Sequence, residues 1–210
     1  MNYVVHTEIE KKINKLKKGQ VYLLSDFRGI GSEVAIRKTL SRLVKEDKLR
    51  RIAHGMYYLP LVDELLGELK PSVEHIVSAI AKKEHLRIKP SGAYALHKLG
   101  LSVQVPMKFV YLTDGAAKTI KVGKTIIKFK PTTAKKLAMK GSLSSMIIQA
   151  LSELDLTNLH HSLRKRIKEL LKKEDHKNIL HDIKLAPAQI SDFLVGIFKE
   201  IDNDRLVGIK

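Results

Sequence analysis

The chain has 210 residues, 44% hydrophobic and 29% charged, enough to bury a core and unlike a disordered tail. No run approaches about 18 uninterrupted apolar residues, so neither a membrane-spanning helix nor an apolar signal segment is expected, and a soluble, cytoplasmic protein is. The lack of cysteine excludes disulfides, thiolate metal sites and cysteine nucleophiles, while 39 Lys and Arg against 22 Asp and Glu leave a net charge of +17 that favours a polyanionic partner. The excess is concentrated. Residues 1–60 carry a net +7 and residues 116–142 a net +8 with no acidic residue, whereas 61–115 and 143–210 carry +1 each.

Thr7 and Glu10 have the spacing of a capping box, and Ile9, Ile13 and Leu16 recur at helical intervals, predicting a short amphipathic helix ended by Gly19. Val21 to Leu23 reads as extended, and Ser25-Asp26 before Phe27 as the cap of a brief second helix that stops at Gly29-Ile30-Gly31. Ser32 then caps a predicted helix from Glu33 to about Glu46, with Ile36, Leu40, Leu43 and Val44 as its core stripe. Arg37, Lys38, Ser41, Arg42 and Lys45 fall on the opposite side. Val34 lies there too, and either packs in the first turn or meets a thymine methyl. Strands on either side of His54-Gly55, namely Leu49 to Ala53 and Met56 to Leu59, predict a two-residue hairpin.

Helix, helix and basic hairpin in this order match a winged helix-turn-helix, whose second helix enters the major groove while the wing follows the phosphates. On that reading Arg37, Lys38, Ser41, Arg42 and Lys45 face the groove, Arg50, Arg51 and His54 form the wing, and Ser32 at the start of the helix is a further DNA-binding residue. A solvated basic face on a protein-docking module is the alternative.

Residues 61–71 read as a loose, mildly acidic linker, with a domain boundary near Pro71. Ser72 opens a helix carrying Val73, Ile76, Val77 and Ile80 on one face, and Pro90-Ser91-Gly92 introduces a shorter one from Ala93 to Leu99, stopped by Gly100. Met107 to Thr113 is strand-like, and Thr119 to Val122 with Thr125 to Phe129 form a hairpin around Gly123-Lys124. Lys118, Lys121, Lys124, Lys128 and Lys130 interleave with apolar residues there, followed by Lys135, Lys136 and Lys140. They form either a second polyanion-facing surface or a charged strand edge that resists unwanted pairing. Three further apolar stripes predict core helices: Leu143 to Leu154, Leu159 to Leu171 and Ile190 to Ile201.

Little else carries chemistry. The histidines at 160, 161, 176 and 181 lack helical zinc spacing, and no P-loop or nucleophile elbow is present, so no metal, cofactor or catalytic residue is expected. Gly141-Ser142 followed by Glu153 and Asp155 superficially resembles a nucleotidyltransferase signature. A helix cap at Ser142 and a turn at Asp155 explain those residues more simply.

The module Asp26-Phe27, Leu40-Ser41-Arg42-Leu43 and Gly55-Met56-Tyr57-Tyr58-Leu59-Pro60 resembles the N-terminal winged helix of AbiEi-type antitoxins of type IV toxin-antitoxin systems. The text Pro90-Ser91-Gly92-Ala93-Tyr94-Ala95-Leu96, Leu99-Gly100-Leu101-Ser102, Gln104-Val105-Pro106, Tyr111-Leu112-Thr113-Asp114-Gly115 and Leu185-Ala186-Pro187 is similar to the AbiEi-like regulators of the DUF6088 group. The resemblance implies an antitoxin that represses its own operon at inverted repeats in duplex DNA and counters a co-encoded nucleotidyltransferase-type toxin. Among the DNA contacts it points to Arg37, Arg42, Arg50 and Arg51. The expected fold is α+β: a winged helix-turn-helix over 1–60, a linker over 61–71, and a mixed domain with a small sheet and several helices over 72–210. A nucleotidyltransferase-type enzyme using Glu153 and Asp155, and an RNA-associated factor using the lysine-rich hairpin, are the alternatives.

Overall fold

A computed structural model describes residues 2–207, with side chains over 4–202. The chain is mixed α+β and divides into two units, Met1–Leu86 and Arg87–Lys210.

In the first unit, helix α1 (Asn2–Ile13) buries Ile9 and Ile13, one helical turn apart, against Ile36, Leu40 and Leu43 of α2 (Glu33–Lys45) and against Phe27. Thr7 is therefore no cap; it lies inside a helix that begins five residues earlier. Nor does Gly19 end α1. It turns the chain at φ 76°, its amide donating to the Leu59 carbonyl, into strand β1 (Val21–Leu23). Residues Leu24–Phe27 form a 3₁₀ turn, with Ser25 and Asp26 inside it rather than ahead of it. The Asp26 carboxylate reaches back to accept the Leu23 amide at 2.8 Å. Ser32 is the expected cap of α2, its hydroxyl accepting the Ala35 amide, and the helix ends at Lys45, where Asp47 adopts a positive φ.

Strand β2 (Arg50–Ala53) and strand β3 (Met56–Tyr58) form the expected hairpin around His54-Gly55, and β1 adds to the other side of β3, giving the antiparallel order β1-β3-β2. The expected loose linker is instead a second hairpin of β4 (Leu61–Asp63) and β5 (Gly67–Leu69). Its turn forms because the Asp63 carboxylate accepts the amides of Leu65 and Leu66, an Asx turn completed by Gly67 at φ 71°. Helix α3 (Val73–Glu84), capped by Ser72 as expected, buries Ile76, Val77, Ile80 and Ala81. The division at Leu86 groups it with the N-terminal elements rather than with those beyond Pro71.

The second unit is built on a four-stranded sheet of order β6-β7-β9-β8. Strands β8 (Lys118–Val122) and β9 (Thr125–Pro131) are the expected hairpin, with Gly123 at φ 59° in its turn. Strand β7 (Lys108–Thr113) runs parallel to β9, and β6 (Ile88–Ser91) antiparallel to β7. Pro90-Ser91 thus belongs to a strand, and Gly92 alone leads into α4 (Ala93–Lys98). After α5 (Ala134–Leu137), helices α6 (Ser142–Leu151), α7 (His161–Leu171), α8 (His176–Leu185) and α9 (Ala188–Val207) follow. Their apolar stripes meet in one core that includes Ile147, Ile148, Leu151, Ile167, Ile179, Leu194 and Ile197.

The N-terminus of α6 is held otherwise than expected. Ser142 is exposed, and the cap position is Gly141. Asp182 of α8, fully buried, accepts the amides of Lys140 (2.7 Å) and Gly141 (2.9 Å) and the hydroxyl of Ser144 (2.6 Å). Glu174 accepts the amides of Leu143 and Ser144. Two carboxylates at the positive end of a helix satisfy its orphan amides and balance its dipole.

Candidate nucleic-acid interface

Helix α2 separates its chemistry by side. Ile36, Leu40 and Leu43 are buried, while Arg37, Lys38, Ser41, Arg42 and Lys45 are all exposed, which brings five of the predicted residues onto one open surface. Ser32 spends its hydroxyl on the helix cap. Val34 is 64% exposed on the same surface, so it does not pack in the first turn.

The hairpin is joined to this surface through its tip. Arg37 pairs with Glu33 one turn back, and its Nη1 lies 3.3 Å from His54 Nε2; on the other side of the ring Arg51 Nη2 lies 3.3 Å from His54 Nδ1. A neutral imidazole has one acceptor nitrogen, so in that form the ring can accept from only one of the two guanidinium groups at a time. Arg51 is exposed.

Arg50 is different. Its Nη1 pairs with Asp47 at 2.7 Å and its Nε with Glu68 of β5 at 3.1 Å. Glu68 also accepts the Tyr58 hydroxyl at 2.6 Å. Burial together with the neighbouring Glu68 carboxylate pushes the Tyr58 phenol up to about 12. The hydrogen bond from Tyr58, reinforced by Arg50, holds Glu68 below the usual carboxylate range. Arg50 therefore braces the two hairpins of the first unit together. Asp47 was visible three residues upstream of it, but Glu68 is 18 residues away and meets it only because 61–69 folds as a hairpin. Lys38, Arg42 and Lys45 form no ion pair among the described residues.

A groove of about 1050 Å³ that no local pattern announces lies in the same unit, among α1, β1 and α3. Lys12, Lys18, Lys82 and Lys83 line it along with the Asp26 carboxylate, which pairs with Lys83 at 2.8 Å. The groove is thus electropositive.

In the second unit the five hairpin lysines are exposed but divided, with Lys124 in the turn and the others on β8 and β9. Asp155 accepts the amide and hydroxyl of Thr157 and the amide group of Asn158, which holds its carboxyl below the usual range and makes it the pivot of the turn between α6 and α7. Glu153 stands beside Gly92. Among the described residues no group of three or more His, Asp or Glu side chains could hold a metal ion, and no helix is long and apolar enough to cross a membrane.

A model of a family of unknown function, DUF6088, matches residues 8–179, from within α1 to the start of α8. The chain belongs to the DUF6088 family. None of the curated proteins compared matches it. For this DUF6088 member the matched span contains the whole cationic surface of α2, the hairpin tip and all the strands of the β6-β7-β9-β8 sheet.

Proposed function

We propose that the protein is a cytoplasmic, sequence-specific binder of duplex DNA that controls transcription, using residues 1–60 as a winged helix-turn-helix. One observation carries the reading: α2 presents Lys38, Arg42 and Lys45 to solvent without an ion pair, on the side opposite its buried stripe, next to a hairpin tip of Arg51 and His54. An arginine held in no ion pair can offer its fork to guanine O6 and N7, and unpaired lysines can neutralise phosphates. The order α1, β1, 3₁₀ turn, α2 and the β2-β3 hairpin, with β1 closing the sheet, supports the winged form. Resemblance to AbiEi-like regulators supports a more specific role as the antitoxin of a type IV pair, repressing its own operon and countering a nucleotidyltransferase-type toxin encoded beside it.

Gel-shift titrations at one fixed salt concentration, on DNA from upstream of the gene and on random duplex of equal length, test this reading. Arg42→Ala should cost about 1–3 kcal/mol on the cognate fragment and much less on random DNA. Arg51→Ala should weaken both by the same factor. Equal losses for Arg42→Ala on both fragments would remove base reading from α2.

A further inference from the structure

Residues paired across neighbouring strands project from the same side of a sheet. The register therefore sets Lys121, Lys128 and Lys130 with Lys108 on one face of the β6-β7-β9-β8 sheet, and Lys118 on the other, opposite Phe129. That second face is the packed one. It carries Phe109, Tyr111 and Phe129, and Tyr94 of α4 lies 4.8 Å from Phe109 and 5.4 Å from Tyr111 between ring centres. The lysine face is open on its β8–β9 side, where Lys108, Thr119, Lys121, Lys128 and Lys130 are exposed with half-buried Val110 and Ile126 between them, whereas Leu112, opposite Lys130, is buried. Lys89 shares this face but is half-buried and donates to the Met139 carbonyl at 2.8 Å.

Protection of a strand edge does not account for this arrangement. Strand β8 is an edge, so Lys121 could serve there, but Lys128 sits on β9 with β7 on one side and β8 on the other, where no edge needs guarding. Lysine is also a poor strand former. Alternate residues of a strand are about 6.8 Å apart and neighbouring strands about 4.8 Å, so these ammonium groups repel one another. None of Lys108, Lys121, Lys128 and Lys130 has an ion pair among the described residues. An external polyanion would relieve the repulsion.

We infer that this sheet face binds the phosphate backbone of duplex DNA, as a sequence-blind contact separate from the helix face of the first unit. A duplex presents one charge per about 1.7 Å, so even a short face meets several phosphates. Lysines set among aliphatic residues neutralise phosphates without reading base edges. Single strands are excluded as the ligand because they are held by stacking on exposed aromatics, and the aromatics of this sheet lie on its packed face. The choice of DNA over duplex RNA rests on the function proposed for the first unit.

The test uses the full chain carrying K121Q/K128Q/K130Q, bound to random duplex DNA over about 50–200 mM salt. The slope of log K against log salt should fall in magnitude by about 2.7, and by about 0.9 for Lys128→Gln alone, with the thermal midpoint not lowered and the ratio of cognate to random affinity unchanged. An unchanged slope in both variants would overturn the inference, as would a loss confined to duplex RNA. If the slope falls while Arg42→Ala leaves discrimination intact, the sheet face stands and the reading of the first unit fails.

Discussion

Arg42 and Arg50 carry the same charge, one three residues before the end of α2 and the other at the start of β2, and differ in what surrounds them. Arg42 is exposed and without an ion pair, whereas Arg50 gives its fork to Asp47 and Glu68. Arg50→Gln should therefore lower the thermal midpoint and leave the ratio of cognate to random DNA affinity unchanged, while Arg42→Gln should do the reverse. Melting curves and competition binding on the two variants separate these outcomes. Gly55 is a second residue whose part is conformational. It sits at φ 68° in the His54-Gly55 turn, with ordinary contact to Leu24 where a Cβ would stand. Gly55→Ala should cost about 1–2 kcal/mol in urea unfolding, because an L side chain in the left-handed region crowds its own backbone.

At the scale of elements, hairpins and helices are tied by polar groups that come from elsewhere in the chain. Tyr58 of β3 and Glu68 of β5 make such a tie, and its pH dependence has two limbs. The folded phenol lies near 12 against about 10 when unfolded, so its contribution is complete below pH 10 and is lost as the pH rises toward 12. Glu68 is shifted the opposite way; its contribution is present above the ordinary carboxylate range and disappears on acidification through its lowered value. Urea unfolding across pH should show both limbs, and Tyr58→Phe should reduce the alkaline one, to which the raised Tyr22 phenol also contributes. The N-terminus of α6 depends on Asp182 in the same manner. Asp182→Ala strands two amides and a hydroxyl in a buried place, and should destabilise the protein by about 3–5 kcal/mol in the same assay.

For the whole molecule, +17 is less informative than where it resides. Residues 143–210 hold 11 basic and 10 acidic groups, so the net attraction for a polyanion comes from two stretches and not from the chain at large. K165Q/K177Q, which removes exposed charges from α7 and α8, should leave the salt dependence of DNA binding unchanged within one unit of slope. A decrease as large as that from the sheet lysines would mean diffuse attraction. The apolar periodicity of α2, α3 and α9, the serine caps at 32 and 72 and the turns at Gly55 and Gly123 were legible from the residues, because each depends on groups within about four positions of one another. The cationic side of α2 was legible for the same reason. Pairing of β6 with β7, the parallel register of β7 and β9, the brace from Arg50 to Glu68 and the separation of Lys118 from Lys121, Lys128 and Lys130 were not. Each joins positions that local preference leaves independent, so only the folded chain, by choosing which strands pair and in which register, decided which charges are spent on the protein itself and which remain open to a partner.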